Sequence, residues 1–269
     1  MQNKILMLGD VVGELGCAML ARHLPLLIKQ HQADFVIVNG ENSCVTGRGI
    51  TPKLVAFFKN LGVDVVTSGN HIWASKEIIE YLEFNHLDLL RPANFPSNCP
   101  GKGVVLLNKN GITLAVINLQ GRVFMRELLD CPFKSADSLM TYLKERADLI
   151  LIDFHAETSS EKIGLAHYLD GRVTGLVGTH THVQTADERI LTGGTAFITD
   201  LGMCGALNGM LGMRKDVIIK HLITQMPQKF LVDNEPPGVL SGVCITADHQ
   251  TGLATKIERI RIIDYETRG

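Results

Sequence analysis

The chain has 269 residues, 45% of them hydrophobic and 20% charged, with a formal net charge of -2. That balance is enough to bury a sizeable globular core, and it lacks the long-range positive field that binding an extended nucleic acid requires. Six cysteines, at 17, 44, 99, 131, 204 and 244, form no C-x-x-C pair, which predicts reduced, mostly buried thiols rather than a disulfide framework or a thiolate metal site.

The N-terminus passes at once into the apolar run Ile5–Leu8, too short for a signal peptide, and no later run reaches membrane-spanning length. The expected location is the cytoplasm. Helical spacing comes next, over 16–30. Phe35–Val38 is the second strand, with a helix over 52–60, and Val63–Val66 the third, with a helix over 75–84. Val104–Leu107 and Thr113–Asn118 read as an antiparallel hairpin, because Asn110-Gly111 supplies the positive φ angles of a tight turn. Leu149–Phe154 precedes a helix over 158–169, and Leu176-Val177 is the last short apolar run. Val239–Thr246 and Ala254–Ile263, joined by a polar turn over 249–252, repeat the hairpin theme. Uninterrupted apolar runs belong to strands covered on both faces by helices. With the hairpins added, the expectation is an α/β fold, a four-layer α-β-β-α sandwich of two mixed sheets in one domain over 1–269. A plain doubly wound sheet is the competing arrangement.

The informative residues are those directly after each apolar run. Gly9-Asp10, Asn39-Gly40-Glu41-Asn42, Ser68-Gly69-Asn70-His71, Phe154-His155-Ala156-Glu157 and Gly178-Thr179-His180-Thr181-His182 all begin at a strand end. Five such ends are expected to converge along one rim of the sheet, where open α/β sheets bind ligands. Taken singly, Asp10 reads equally as a helix cap, Asn39–Asn42 as a turn and His155 as a satisfied core histidine. Together they form a set of hard oxygen donors (Asp10, Glu41, Asn42, Asn70) and imidazoles (His155, His180, His182) without sulfur, which suits Mn, Fe or Zn. There are ligands enough for two ions, with one carboxylate left to bridge them. Such a pair clamps a phosphoryl group and generates hydroxide near neutral pH.

These motifs, with Arg91-Pro-Ala-Asn-Phe-Pro, Ile117-Asn-Leu-Gln-Gly-Arg122, Asp130-Cys-Pro-Phe and Thr181-His-Val-Gln-Thr-Ala-Asp, resemble the calcineurin-like metallophosphoesterase superfamily. The narrower likeness is to its bacterial 2′,3′-cyclic-nucleotide 2′-phosphodiesterase branch, and it spans nearly the whole chain. The resemblance implies that Asp10, Asn42 and His182 hold one metal, that Glu41 bridges, and that Asn70, His155 and His180 hold the other. It implies that His71 lies beside the phosphate as a proton or hydrogen-bond donor. The superfamily usually opens with Asp-x-His and bridges with Asp. Here the opening is Gly9-Asp10-Val11-Val12-Gly13 and the bridging position is Glu41. Both departures belong to the branch, enrich the first site in oxygen, and favour iron or manganese over zinc.

The leading functional reading is therefore a phosphodiesterase on small cyclic nucleotides, in which a metal-bound hydroxide attacks in line. The alternatives are a phosphomonoesterase or nuclease, and a regulatory metal-binding protein with little activity. One Trp and four Tyr are few for a long single-strand groove. Arg122 reads either as a phosphate contact or as a surface arginine. A small phosphodiester is the expected partner; neither a membrane nor an extended nucleic acid is expected, and self-association is left open.

Overall fold

The computed structural model describes residues 2–84 and 88–269. The N-terminal half contains β1 (Gln2–Leu8), β2 (Asp10–Val11), α1 (Gly13–His31), β3 (Phe35–Asn39), α2 (Pro52–Asn60), β4 (Val65–Thr67) and α3 (Lys76–Glu83). Next come β5 (Val104–Lys109), β6 (Ile112–Gln120), α4 (Pro132–Leu143), β7 (Leu149–His155), α5 (Ser159–Tyr168) and β8 (Gly175–Thr179). The chain ends with β9 (Arg189–Ile190), β10 (Ala196–Ile198), β11 (Met203–Ala206), α6 (Lys215–Thr224), β12 (Gly238–Asp248) and β13 (Leu253–Asp264).

Local chemistry fixes several boundaries. The Thr51 hydroxyl accepts from the Leu54 N–H at the start of α2, with Pro52 at its first position, and Thr158 does the same for Glu161 in α5. Asn110 and Gly111 adopt φ of 52° and 80°, the positive pair that closes the β5–β6 hairpin.

One sheet has the order β2-β11-β12-β1-β3-β4, with β13 along the other edge of β12; the second runs β5-β6-β7-β8-β10-β9. In the first sheet β1, β3 and β4 are parallel and β12 is antiparallel to β1. In the second, β6, β7, β8 and β10 are parallel, with antiparallel hairpin partners at both edges.

Strand alternation sorts the core into three slabs. Leu6, Leu8, Val36, Val38 and Val66 face α1, α2 and α3. Their neighbours Ile5, Met7, Phe35, Ile37 and Val65 turn the other way, against Leu114, Val116, Leu149 and Leu151 between the sheets. Ile117, Ile152, Phe154 and Leu176 on the far side of the second sheet pack on α4 and α5. Helices, sheet, sheet, helices: the four-layer sandwich is present, and each fully buried Leu, Ile or Phe stabilises it by about 1.5–3 kcal/mol.

Two expectations need correction. The strand ends bearing the site do not lie on one sheet: β1, β3 and β4 belong to the first and β7 and β8 to the second. The cysteines are all free, but only Cys204 and Cys244 are buried; Cys17, Cys44, Cys99 and Cys131 are partly exposed, Cys17 at the edge of the core beneath α1 and the other three outside the strands. Among the described residues no helix is long and apolar enough to cross a membrane.

Candidate metal centre

Every parallel strand that carries a candidate delivers it at its carboxyl end, and the seven side chains meet where the ends of the two sheets face each other. Asp10, Glu41, Asn42 and His155 are buried; Asn70, His71, His180 and His182 are partly exposed at the mouth. His155 Nε2 stands 3.0 Å from Glu41 Oε1, 3.0 Å from Asn70 Oδ1 and 3.0 Å from His180 Nδ1. Beside this group, the Asn42 amide nitrogen lies 3.4 Å from Asp10 Oδ1, 3.4 Å from Glu41 Oε1 and 3.2 Å from His182 Nε2. His182 Nε2 is also 3.8 Å from Asp10 Oδ1. The two clusters share one atom, Glu41 Oε1.

The ring nitrogens that turn away from these clusters explain the ones that turn in. His155 Nδ1 is 2.9 Å from the Thr179 hydroxyl, which donates at 2.7 Å to Asp153 Oδ1. With Asp153 ionised, the hydroxyl's one proton is spent on that carboxylate, so the neutral His155 ring donates from Nδ1–H to Thr179 and presents a lone pair at Nε2. His180 Nε2 is 3.0 Å from Glu157 Oε2, and His182 Nδ1 is 3.0 Å from the Leu211 carbonyl. Both partners only accept, so in the neutral tautomers His180 Nδ1 and His182 Nε2 are the lone pairs. Three imidazoles and two carboxylates thus aim acceptors at one another, an arrangement that repels itself unless a cation or a proton stands between.

Burial acts in the same sense on Asp10, Glu41, His155 and His180, disfavouring the charged form of each. It raises the Asp10 and Glu41 carboxyls above their ordinary values, and it lowers His155 and His180 to about 4. Neutral imidazole is the form that ligates metal, and a dication would reverse the penalty on the carboxylates. The donors therefore fit hard or borderline divalent metal, with Glu41, His155 and His180 close enough to share one ion. Turning the Asn42 amide over would present its oxygen at the place its nitrogen occupies.

The protein holds this geometry against strain. His180 and His182 adopt φ of 100° and 64°, a left-handed backbone that costs roughly 1–3 kcal/mol at a non-glycine residue. Thr181 between them is clamped by buried Asp200, which accepts from its N–H at 3.1 Å and its hydroxyl at 2.7 Å. Lys162 neutralises Asp200 at 2.8 Å, both side chains 1% exposed. On the opposite side, a Cβ at Gly69 would fall 2.1 Å from His155 Cδ2, so only glycine lets that imidazole lie against the Ser68–Asn70 turn.

The remaining candidates separate cleanly. The His71 N–H donates to Glu41 Oε2 at 3.1 Å, while its ring lines a cavity of about 510 Å³ together with Glu41, Asn42, His180 and His182. Burial lowers the His71 pKa, with Glu41 opposing and Arg48 adding to the shift. Arg122 is exposed and lies outside that cavity; its N–H is bound by Glu161. The arginine lining the cavity is Arg48, which strand-end reasoning passes over because it sits in the loop after β3. Asp153 is likewise hidden inside an apolar run. It accepts from Thr67, Thr179 and Asn39, and burial raises it to about 7 against the pull of those bonds.

A sequence model of the family described as YmdB-like protein matches residues 6–260. The chain belongs to this family. A relative from Bacillus subtilis (strain 168), named 2′,3′-cyclic-nucleotide 2′-phosphodiesterase, is 49% identical over 261 residues, which is 97% of both chains. The crystal structure of a novel phosphatase from Mycoplasma pneumoniae superposes with a TM-score of 0.92 at 36% identity, covering 98% of this chain and 95% of that one. The NAD nucleotidase NadN of Haemophilus influenzae reaches a TM-score of 0.63 at 14% identity, over 98% of this chain and 56% of its own. That last likeness concerns the fold alone.

Proposed function

We propose that this YmdB-like protein is a dinuclear-metal phosphodiesterase acting on small cyclic nucleotides, with 2′,3′-cyclic nucleotides as the preferred class. The observation that carries the reading is the pair of donor clusters meeting at Glu41 Oε1. Asp10, Asn42 and His182 would hold one ion, Asn70, His155 and His180 would hold the other, and Glu41 would serve both. The oxygen-rich donor set favours iron or manganese over zinc. Two ions bound there would supply Lewis-acid polarisation of a phosphoryl group and a water-derived nucleophile at neutral pH.

The chain's own residues supply the rest. His71 faces the cavity with its ring free of the two donor clusters, so its role is to give a proton to O2′ as that oxygen leaves. The phosphodiester's negative charge, arriving beside the ring, opposes the burial that holds its pKa down. Arg48 places a permanent positive charge at the same mouth, suited to the non-bridging phosphate oxygens. The name of the Bacillus relative supports the substrate class.

The test is chromatography of the products formed from 2′,3′-cyclic AMP by manganese-loaded protein, beside 3′,5′-cyclic AMP and the monoesters 2′-AMP and 3′-AMP. Cleavage of the 2′ bond gives mainly 3′-AMP. Predominant 2′-AMP, or faster turnover of the monoesters, would refute the assignment.

A further inference from the structure

The cavity that contains the donor clusters has a second wall of opposite character. Met210, Met213, Ile218, His221, Leu222 and Phe230 face across it toward His71, His180 and His182. They come from the segment 207–235, which holds itself together through Met210–Met213 and Met213–Val232 bridges. The Leu211 carbonyl that fixes His182 ties this segment to the metal centre.

The apolar side chains of this wall are not core. No residue of α6 is buried, although half its residues are apolar, and Leu222 is 55% exposed. Phe230 packs edge-on to His221 with centroids 5.5 Å apart at 71°, leaving a ring face uncovered by any other aromatic contact among the described residues. A wall of two thioethers, branched aliphatics and an aromatic pair, opening on a phosphate-reactive centre, matches a flat, weakly polar ring joined to a phosphate by a short spacer. The cavity volume of about 510 Å³ is within the range of small-ligand sites.

Resting on the phosphodiesterase reading above, we propose that this wall is the nucleobase subsite, and that it recognises a base by stacking and burial rather than by hydrogen-bond pattern. The four bases share a π face, so stacking on Phe230 and the methionines discriminates a base from no base far more than one base from another. Specificity for nucleotides over other strained cyclic phosphates then resides in 207–235, not in the metal ligands.

The test is steady-state kinetics of the full, manganese-loaded chain on 2′,3′-cyclic AMP and on methyl ribofuranoside 2′,3′-cyclic phosphate, which has the same ester and no base. The expected KM for the base-free ester is higher by on the order of tenfold, with kcat similar, and the four 2′,3′-cyclic nucleotides differ among themselves by no more than a few-fold. Phe230→Ala and, at a more exposed position, Leu222→Ala should raise KM for 2′,3′-cyclic AMP and collapse the ratio between the two esters; Phe230→Trp should restore it. Equal KM values in the unmodified protein would overturn the proposal, as would a ratio that survives both alanine variants with native circular dichroism. A change of oligomeric state in those variants with the ratio intact would assign the wall to a contact between copies and overturn it too. Turnover of neither ester would instead remove the phosphodiesterase reading itself.

Discussion

The polar wall and the apolar wall of the cavity differ in almost every physical property. Asp10, Glu41 and His155 are completely buried, sit at the ends of parallel strands, and engage their polar atoms with named partners at hydrogen-bond distance. The wall from 207–235 rests on a helix without a buried residue, and Ile219, Leu222, Ile223 and Met226 remain exposed along it. A catalytic centre tolerates little displacement, so it is fixed to the rigid ends of two sheets and braced by Asp153, Asp200 and Glu157. A surface that only has to cover a ligand's flat face needs no such anchoring, and adjustable methionines suit it. The expected consequence is that substitutions in the first wall are costly and those in the second nearly silent for folding.

The largest expected effect is catalytic. His71→Ala should reduce hydrolysis of cyclic nucleotides by roughly 10²–10⁴-fold, the usual contribution of a general acid to a poor leaving group. A nitrophenolate leaves without that help, so nitrophenyl esters should keep much of their rate while the metals stay bound. Equal loss on both substrates, measured by steady-state kinetics with metal content on the same samples, would recast His71 as a charge stabiliser.

Next is the clamp beneath the strained histidines. Lys162→Met leaves the Asp200 carboxylate buried without its cation and should cost about 3–5 kcal/mol in urea denaturation. A loss below about 1 kcal/mol would mean that the Thr181 and Gly202 bonds to Asp200 suffice alone. Smaller again is Asp153→Asn, which disturbs the Thr179 hydroxyl that orients His155. It should weaken metal affinity or activity by about 10–100-fold, as outer-sphere partners of ligating histidines do, with little change of KM. Unchanged metal affinity in equilibrium dialysis, together with unchanged activity, would reduce Asp153 to a packing element. The smallest effect belongs to the other wall: Ile223→Glu, 77% exposed on α6, should change unfolding free energy by less than about 0.5 kcal/mol. A large loss there would reveal a covered face and contradict the contrast between the walls.

Legibility in the sequence divides along the same line. The candidate residues were legible because glycine, asparagine, carboxylates and histidine directly after an apolar run do no packing work, and the structure brings all seven of them to one place. Their distribution over two sheets was not legible, since a strand buried on both faces reads alike in either sheet. Asp153 was overlooked because five apolar neighbours made its strand look complete, although a lone carboxylate in such a run is itself a signal. Helix α4 was missed although Ala136, Met140 and Leu143 recur at helical spacing; the short strands β10 and β11 left too little periodicity to read, and α6 lacks the buried stripe that marks a core helix. The apolar wall had no signature at all: its six side chains are scattered over twenty-one positions and converge only when the chain folds over His182.

Metal stoichiometry tests the central claim most directly. Protein purified anaerobically, stripped and titrated with Mn²⁺ should bind two ions per chain, read by elemental mass spectrometry after desalting. Because Glu41 Oε1 belongs to both donor clusters, Glu41→Ala should weaken both sites, whereas His182→Ala should empty mainly one. Two ions retained at native affinity in Glu41→Ala would contradict the shared carboxylate and, with it, the dinuclear centre.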